Sequence, residues 1–311
     1  NSVIVTKLAQ RLAARGYGVS AICGMPHYED HRIWPSYRGK VCKREQLGQI
    51  GIYHTWLYLP AQKSRIWGRL LSYISFNILS ALMGLFAPRP DVILAPSPPL
   101  TIGLAAWFIG LMRRAPYIYN VQDVYPDIAV RLGALKNRHL IRLFSWMELF
   151  VYRRAAAVSV ICEGFRQTLI RKGVPGEKIA VIPNCVDTDY ITPRAKDNAF
   201  ARREGLVDRF VVLFAGNAGL SQGLEHVLAA AKALGDHREI LFLLVGNGAA
   251  KPALEAQAAE MGLGNVRFMP FQPWEEVPDV YASADVCLIP LRKGIAQDSV
   301  PSRAWTIMAA G

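Results

Sequence analysis

Residues 209–235 read RFVVLFAGNAGLSQGLEHVLAAAKALG. A short apolar run, Arg209–Ala215, passes directly into Gly216-Asn217-Ala218-Gly219-Leu220-Ser221-Gln222-Gly223, after which apolar residues recur at helical spacing. That order is strand, glycine turn, helix, the unit from which parallel α/β sheets are wound. Three glycines let the backbone approach a ligand at a helix N-terminus, where free N–H groups and the helix dipole favour phosphate. The spacing is neither G-x-G-x-x-G nor the P-loop pattern, so dinucleotide oxidoreductases and P-loop kinases lose support. A tight turn without a ligand uses the same residues.

The pattern continues downstream. Strands are expected at Ile240–Val245, Val266–Met269 and Val286–Ile289, with helices near 223–235, 250–262, 274–283 and from 301 onward. Gly246-Asn247-Gly248 is a second glycine loop at a strand's carboxyl end, and two such loops in neighbouring βα units point to a nucleotide more strongly than one. A third segment leaves the last strand and re-enters helix with Pro and hydroxyl groups at its start; its Lys293, Ser302 and Arg303 offer donors for a diphosphate. The alternative there is a capped helix, with Asp298 or Ser299 accepting backbone N–H bonds and Arg303 solvated.

Upstream, Val3–Arg15 is a helix and Val19–Cys23 a strand. Residues 25–60 are a long loop region with one strand at Ile50–Tyr53. Strands at Val92–Ala95, Tyr117–Val121, Ala157–Ile161 and Lys178–Ile182 then alternate with helices near 64–87, 100–113, 137–155 and 163–172, the signature of a doubly wound, mainly parallel sheet. The 311 residues thus divide into a first Rossmann-like domain over 1–187, a crossover over 188–208 with Pro193 and mixed charges, and a second Rossmann-like domain over 209–311. Two facing halves leave a cleft at the carboxyl ends of both sheets, where ligands of such sheets bind.

Composition narrows the partners. The chain is 52% hydrophobic and 19% charged, which excludes a disordered chain, and its net charge is +12. Residues 1–190 carry a balance of +13 and the rest −1. The basic residues are interleaved with long apolar stretches rather than with a nucleic-acid-binding motif, so no nucleic acid partner is expected and an anionic membrane surface fits better. Five scattered cysteines suggest neither a disulfide framework nor a zinc site and fit a reducing compartment. No metal is expected. The chain starts without Met and stops within a helical pattern, as a fragment cut at both ends would.

Residues 70–88, LLSYISFNILSALMGLFAP, carry no charge and are flanked by Arg65, Arg69 and Arg89. A spanning helix is conceivable, but Ser72, Ser75, Asn77 and Ser80 mark a polar stripe. The stripe suits a helix packed on a sheet or lying in a membrane interface. At the end of the strand Tyr117–Val121 stand two carboxylates, Asp123 and Asp127. A structural reading makes Asp123 a helix cap and leaves Asp127 exposed. His27 and His54, on or near the long loop, are read as structural.

The runs FAGNAGLSQGLEHVLAAA, LLVGNGAAKPALEAQAAEMGLGNVRFMPFQPWEEVPDVYASADVCLIPL and VPSRAWTIMAAG, with IPNCVDTDYITP at the crossover, resemble the retaining glycosyltransferases of family 4. NSVIVTKLAQRLAARGYGVSAICGMPHY extends the likeness to bacterial members that build exopolysaccharide or O-antigen units, of the colanic-acid and fucosamine type. The resemblance implies the GT-B fold, α/β with two Rossmann-like domains facing each other across a cleft. It also implies a first strand before Asn1 and further helices after Gly311.

By the same resemblance, the donor is a nucleotide diphosphate sugar, a UDP-sugar first and a GDP-sugar second, held by Gly216, Asn217, Gln222, Gly223, Gly246, Asn247, Gly248, Phe271, Lys293, Ser302, Arg303 and Thr306. No other cofactor is implied. Leu220 and Gln222 stand where the family has Arg and Lys, and Asp298 and Thr306 keep the spacing of its E-x7-E motif without either glutamate. Gln122 takes the place of the family's histidine. Asp123, Asp127 and Asp298 are the catalytic candidates. The acceptor implied is a polyprenyl-diphosphate-linked glycan, and the enzyme would be cytoplasmic and peripheral on the inner face of the cytoplasmic membrane. A sugar-nucleotide 2-epimerase on the same fold and a noncatalytic membrane-associated assembly subunit are the rival readings.

Overall fold

The structure is a computed structural model that describes residues 2–27, 32–60, 66–292 and 300–311. The chain forms two compact units, Asn1–Pro183 and Asn184–Gly311. The first contains α1 (Ser2–Ala14), β1 (Ser20–Gly24), β2 (Cys42–Leu47), β3 (Ile50–Thr55), α2 (Ile66–Phe86), β4 (Ile93–Pro96), α3 (Ile102–Arg113) and β5 (Tyr117–Val121), then α4 (Asp127–Arg131), α5 (Arg138–Arg154), β6 (Ala157–Val160), α6 (Glu163–Arg171) and β7 (Ile179–Val181). The second contains α7 (Ala199–Glu204), β8 (Phe210–Ala215), α8 (Glu225–Ala233), β9 (Ile240–Val245), α9 (Lys251–Glu260), β10 (Val266–Met269), α10 (Val277–Ala282), β11 (Val286–Cys287) and α11 (Arg303–Ala310).

In the second unit the sheet order is β10-β9-β8-β11, all parallel. Alternation along the two central strands builds two cores. Val211, Leu213, Leu241, Leu243 and Val245 pack with Val280 and Tyr281 on one face, and Phe214, Phe242 and Leu244 with Leu228 and Leu254 on the other. A strand covered on both faces needs an unbroken apolar run, which explains the sequences VVLF and ILFLLV. The segment expected as a crossover holds α7, whose Phe200 and Ala201, with Leu206, join the first of these cores.

The strands of the first unit fall into two sheets rather than the one expected, β1-β3-β2 and β4-β5-β6-β7. β4 to β7 are parallel throughout, and β1 runs parallel to β3. β2 is an antiparallel strand that no apolar alternation announced. Its residues, CKREQL, are polar because it lies at a sheet edge, and Gly48, at φ +57°, turns the chain back into β3. Another difference concerns α2. Its polar stripe is the inward side: Asn77 and Ser80 are buried, and Asn77 donates to Thr101 Oγ1 at 2.6 Å. Among the described residues no helix is long and apolar enough to cross a membrane.

A polar network ties α4, α5 and α6 together. Lys172 Nζ donates to Asp127 Oδ1 at 2.9 Å and to both oxygens of Glu148 at 2.9 and 2.7 Å, while Tyr152 Oη donates to Glu148 at 3.0 Å. Glu148 is only 1% exposed. Burial pushes its carboxyl up to about 7 against the pull of Lys172. As the pH rises from about 4.5, the unfolded chain loses this proton before the folded one, so the group lowers stability across the window up to about 7 and has no further effect above it. Chemical denaturation across that window is expected to give a wild-type decline about 1–3 kcal/mol steeper than that of Glu148→Gln. Equal slopes would contradict the assignment.

Candidate functional site

The carboxyl ends of β8 and β9 emit two loops, 216–223 and 246–250, that are pressed backbone to backbone. Gly216 N–H donates to Val245 O at 2.9 Å, Ala218 N–H to Asn247 O at 2.8 Å, and Ala250 N–H back to Ala218 O at 2.9 Å. A Cβ at Gly246 would stand 2.0 Å from Gly216 O, and one at Gly248 2.4 Å from Ala218 O. Gly246 also has φ +141°, outside the range of L residues. These two glycines are therefore required by the mutual approach of the loops. Lys251 opens α9, where the helix dipole disfavours a cation. It is held by three acceptors: Gly246 O at 3.0 Å, Met269 O at 3.1 Å and Asn247 Oδ1 at 3.3 Å. Its lysine head fastens the second loop, a role that sequence reading missed; the signal was a lysine in the first turn of a helix directly after a glycine loop.

Arg303 comes to the first loop from α11. Its guanidinium lies 4.2 Å from the centroid of the Phe214 ring and 3.2 Å from where a Cβ would sit on Gly216. A Cβ there would press on the guanidinium, and the φ of +142° at Gly216 also favours glycine. Nη1 is buried without a hydrogen-bond partner, and burial holds the guanidinium below its ordinary value with Tyr281 opposing. An arginine stays charged under such a shift. A charged, half-buried donor with an unused N–H is the feature an anion would satisfy. Gln222 adds a second orphan, since its Oε1 is also buried and unpartnered.

Asn217 is exposed and Asn247 half-buried on their loops. Phe271 is exposed, with its ring edge 3.3 Å from the Cβ position of Gly246. Ser302 is exposed at the start of α11, and Thr306 lies one turn beyond Arg303. Gly223, at φ +62°, abuts Arg292, which donates to Glu225 at 2.7 Å and through its backbone to Ser221 O at 3.0 Å. Lys293 and Asp298 lie outside the described residues.

In the first unit, Asp123 is half-buried two residues past β5. Beside it Gln122 N–H donates to Ser97 Oγ at 3.1 Å and Gln122 Nε2 to Asn120 Oδ1 at 2.6 Å, and Asn120 in turn donates to Ser159 at 2.9 Å. Polar side chains thus line the carboxyl ends of β4, β5 and β6. Asp127 is paired with Lys172. His54 is built into the fold: it contacts Cys23 Sγ at 3.3 Å and Glu45 at 2.9 Å, and Tyr37 donates to the same carboxylate at 2.6 Å. Lys43 above all, with the Tyr37 and His54 hydrogen bonds, holds Glu45 down to about 2, and burial pushes the Cys23 thiol up to about 11. That thiol is no nucleophile at neutral pH.

Gly246→Ala is expected to lose about 2–4 kcal/mol in chemical denaturation, because both the dihedral and the space forbid a side chain. Gly264→Ala, with nothing within 4 Å of its added Cβ, is the control and should change stability by less than about 0.5 kcal/mol. Equal effects would contradict the loop assignment.

Residues 2–185 match the family model described as Glycosyl transferase 4-like domain, and residues 196–311 that described as Glycosyl transferases group 1. The chain is 29% identical to the "Putative colanic acid biosynthesis glycosyl transferase WcaI" of Escherichia coli (strain K12), over 98% of this chain and 76% of that protein. It is 29% identical to the "Probable glycosyltransferase WbjE" of Pseudomonas aeruginosa, over 80% of this chain and 63% of that one. In fold it is similar to sucrose-phosphate synthase from Thermosynechococcus elongatus, with TM-score 0.73 and 18% identity over 99% of this chain and 73% of the other. Anabaena HepE in complex with UDP gives TM-score 0.63 and 14% identity over 94% and 78%. With both units matched, the chain belongs to the Glycosyl transferase 4-like family and is a glycosyltransferase of the GT-B fold.

Proposed function

We propose that the chain transfers a sugar, with retention of anomeric configuration, from a nucleotide diphosphate sugar to a polyprenyl-diphosphate-linked glycan in exopolysaccharide or O-antigen synthesis. The observation that carries the donor half is Arg303, a half-buried cation whose Cζ and Nη2 lie against Gly216 and whose Nη1 has no hydrogen-bond partner. A departing nucleoside diphosphate gains charge on its terminal phosphate, and a preorganised guanidinium stabilises that charge where water is excluded. Arg303 thereby takes over from the basic residues absent at Leu220 and Gln222. Phe271, exposed beside the second loop, offers a face for the base, and a UDP-sugar is the first candidate because HepE was crystallised with UDP.

For the acceptor half, Asp123 orients the attacking hydroxyl. Asp127, already paired with Lys172, sets the turn that carries Asp123, and both stay in the proposed site. Lys293 and Asp298 remain candidates from sequence alone. The +13 balance of residues 1–190 supports an anionic, lipid-borne acceptor at the inner face of the cytoplasmic membrane. WcaI, by name a putative colanic acid biosynthesis glycosyl transferase, supports the exopolysaccharide part of this reading.

Thermal unfolding with UDP, GDP, ADP and CMP tests this reading. A selective shift with UDP is expected, worth about 2.7 kcal/mol at one hundred times the dissociation constant. Arg303→Ala should weaken diphosphate binding by about 1.5–3 kcal/mol, the range for a charge-assisted hydrogen bond. No shift with any nucleotide in folded protein would favour the noncatalytic subunit, and unchanged affinity in the variant would remove Arg303 from the site.

A further inference from the structure

Helix α2 is turned inside out. Among the positions of α2 whose exposure is described, the exposed ones are Leu71, Ile74, Ile78, Leu82 and Phe86; all are large and apolar and follow one another at three- and four-residue steps, so they form one ridge along the helix. Ile78 is 57% and Phe86 83% exposed. The opposite side holds Asn77 and Ser80, both buried, with Asn77 Oδ1 and Ser80 Oγ unpartnered. A helix whose outer side meets water shows the reverse distribution.

The ridge has a continuation and a charge pattern. Where α2 ends it is clamped to α3, since Arg113 donates to Leu85 O at 2.9 Å and to Ala87 O at 3.0 Å. At that junction α3 exposes Leu111 and Met112. Arg89 and Arg114 are exposed beside them. Neither α2 nor α3 contains a single carboxylate, and Asp91 is the one acid between Glu45 and Asp123. On the neighbouring α5, Trp146 is exposed and stacks at 5.7 Å on Phe150, which Trp107 of α3 meets edge-on at 5.1 Å.

We propose that the outer ridge of α2, with the C-terminal end of α3, seats the first unit in the interface of an anionic bilayer by inserting its apolar side chains. The proposal deepens the lipid-linked acceptor reading and rests on it for its purpose. A row of aliphatic side chains lying in the plane of a membrane reaches about 5–10 Å into the boundary between headgroups and acyl chains, while flanking arginines stay at the phosphates. Charge decides the occupant. A carboxylate-free ridge ended by exposed arginines complements anionic headgroups, whereas two copies of this face would bring like charges together. Insertion also separates this surface from attraction by the net charge alone, because apolar contact survives salt and long-range attraction does not.

Flotation of the full chain with vesicles of phosphatidylcholine and phosphatidylglycerol, in low and high salt, reads this out. The expected result is binding that weakens but persists in high salt. The double variant Ile78→Glu, Leu82→Glu should lower the high-salt partition at least about tenfold, and Ile78→Ala, Leu82→Ala by a smaller factor. Both should keep the wild-type thermal shift with UDP, which shows that the fold is intact. Retention of wild-type flotation by the charged variant, or complete release of the wild type by salt, would overturn the proposal. So would a wild type that ignores vesicles and sediments as a dimer that the charged variant dissolves. Flotation as expected with no nucleotide shift would instead sink the donor reading and leave the membrane face standing.

Discussion

The approach of two backbone loops to within hydrogen-bonding distance is the constraint on which the second unit's site depends. Loop 216–223 and loop 246–250 exchange bonds through Ala218, Asn247 and Ala250, and their carbonyls occupy the space that side chains at 246 and 248 would need. With the loops closed on each other, the face above Gly216 is left bare, and the Arg303 guanidinium fills it over Phe214. Lys251 locks the arrangement from behind with three bonds to the second loop and β10. The cation with an unused N–H and the cation that holds the scaffold are thus different residues with different surroundings.

Much of this was legible in the sequence because period and punctuation survive translation into structure. Continuous apolar runs such as ILFLLV named the central strands, and the glycines marked the turns at their ends. What sequence could not assign was which job each glycine does. Gly216 and Gly246 look alike in one dimension, yet one makes room for a side chain arriving from α11 and the other for a neighbouring carbonyl. Lys251 and Arg292 were missed for the same reason: their partners are backbone carbonyls and a glutamate far along the chain. Polar edge strand β2 escaped because half-exposed residues carry no alternation. The helix at 66–86 was recognised, but its two sides were not, since a polar stripe and an apolar one define the same periodicity whichever faces the core.

The first unit is governed by buried charge. Asp127, Lys172 and Glu148 form a chain of ion pairs across α4, α5 and α6, with Glu148 in the interior and Asp127 at the start of α4. Such a buried group is costly unless each member is satisfied, and here Tyr152 supplies the remaining donor. The surplus of positive charge over carboxylates is what distinguishes the first 190 residues from the rest.

The central claim is that a diphosphate, and not merely a nucleoside, is what the second unit recognises. Titration calorimetry of the chain with uridine, UMP and UDP tests this most directly. The expected result is an affinity that rises with each phosphate, with the step from UMP to UDP largely lost in Arg303→Ala while the weak binding of uridine is unchanged. Equal affinities for uridine and UDP, or a UDP advantage that survives the loss of Arg303, would contradict the account.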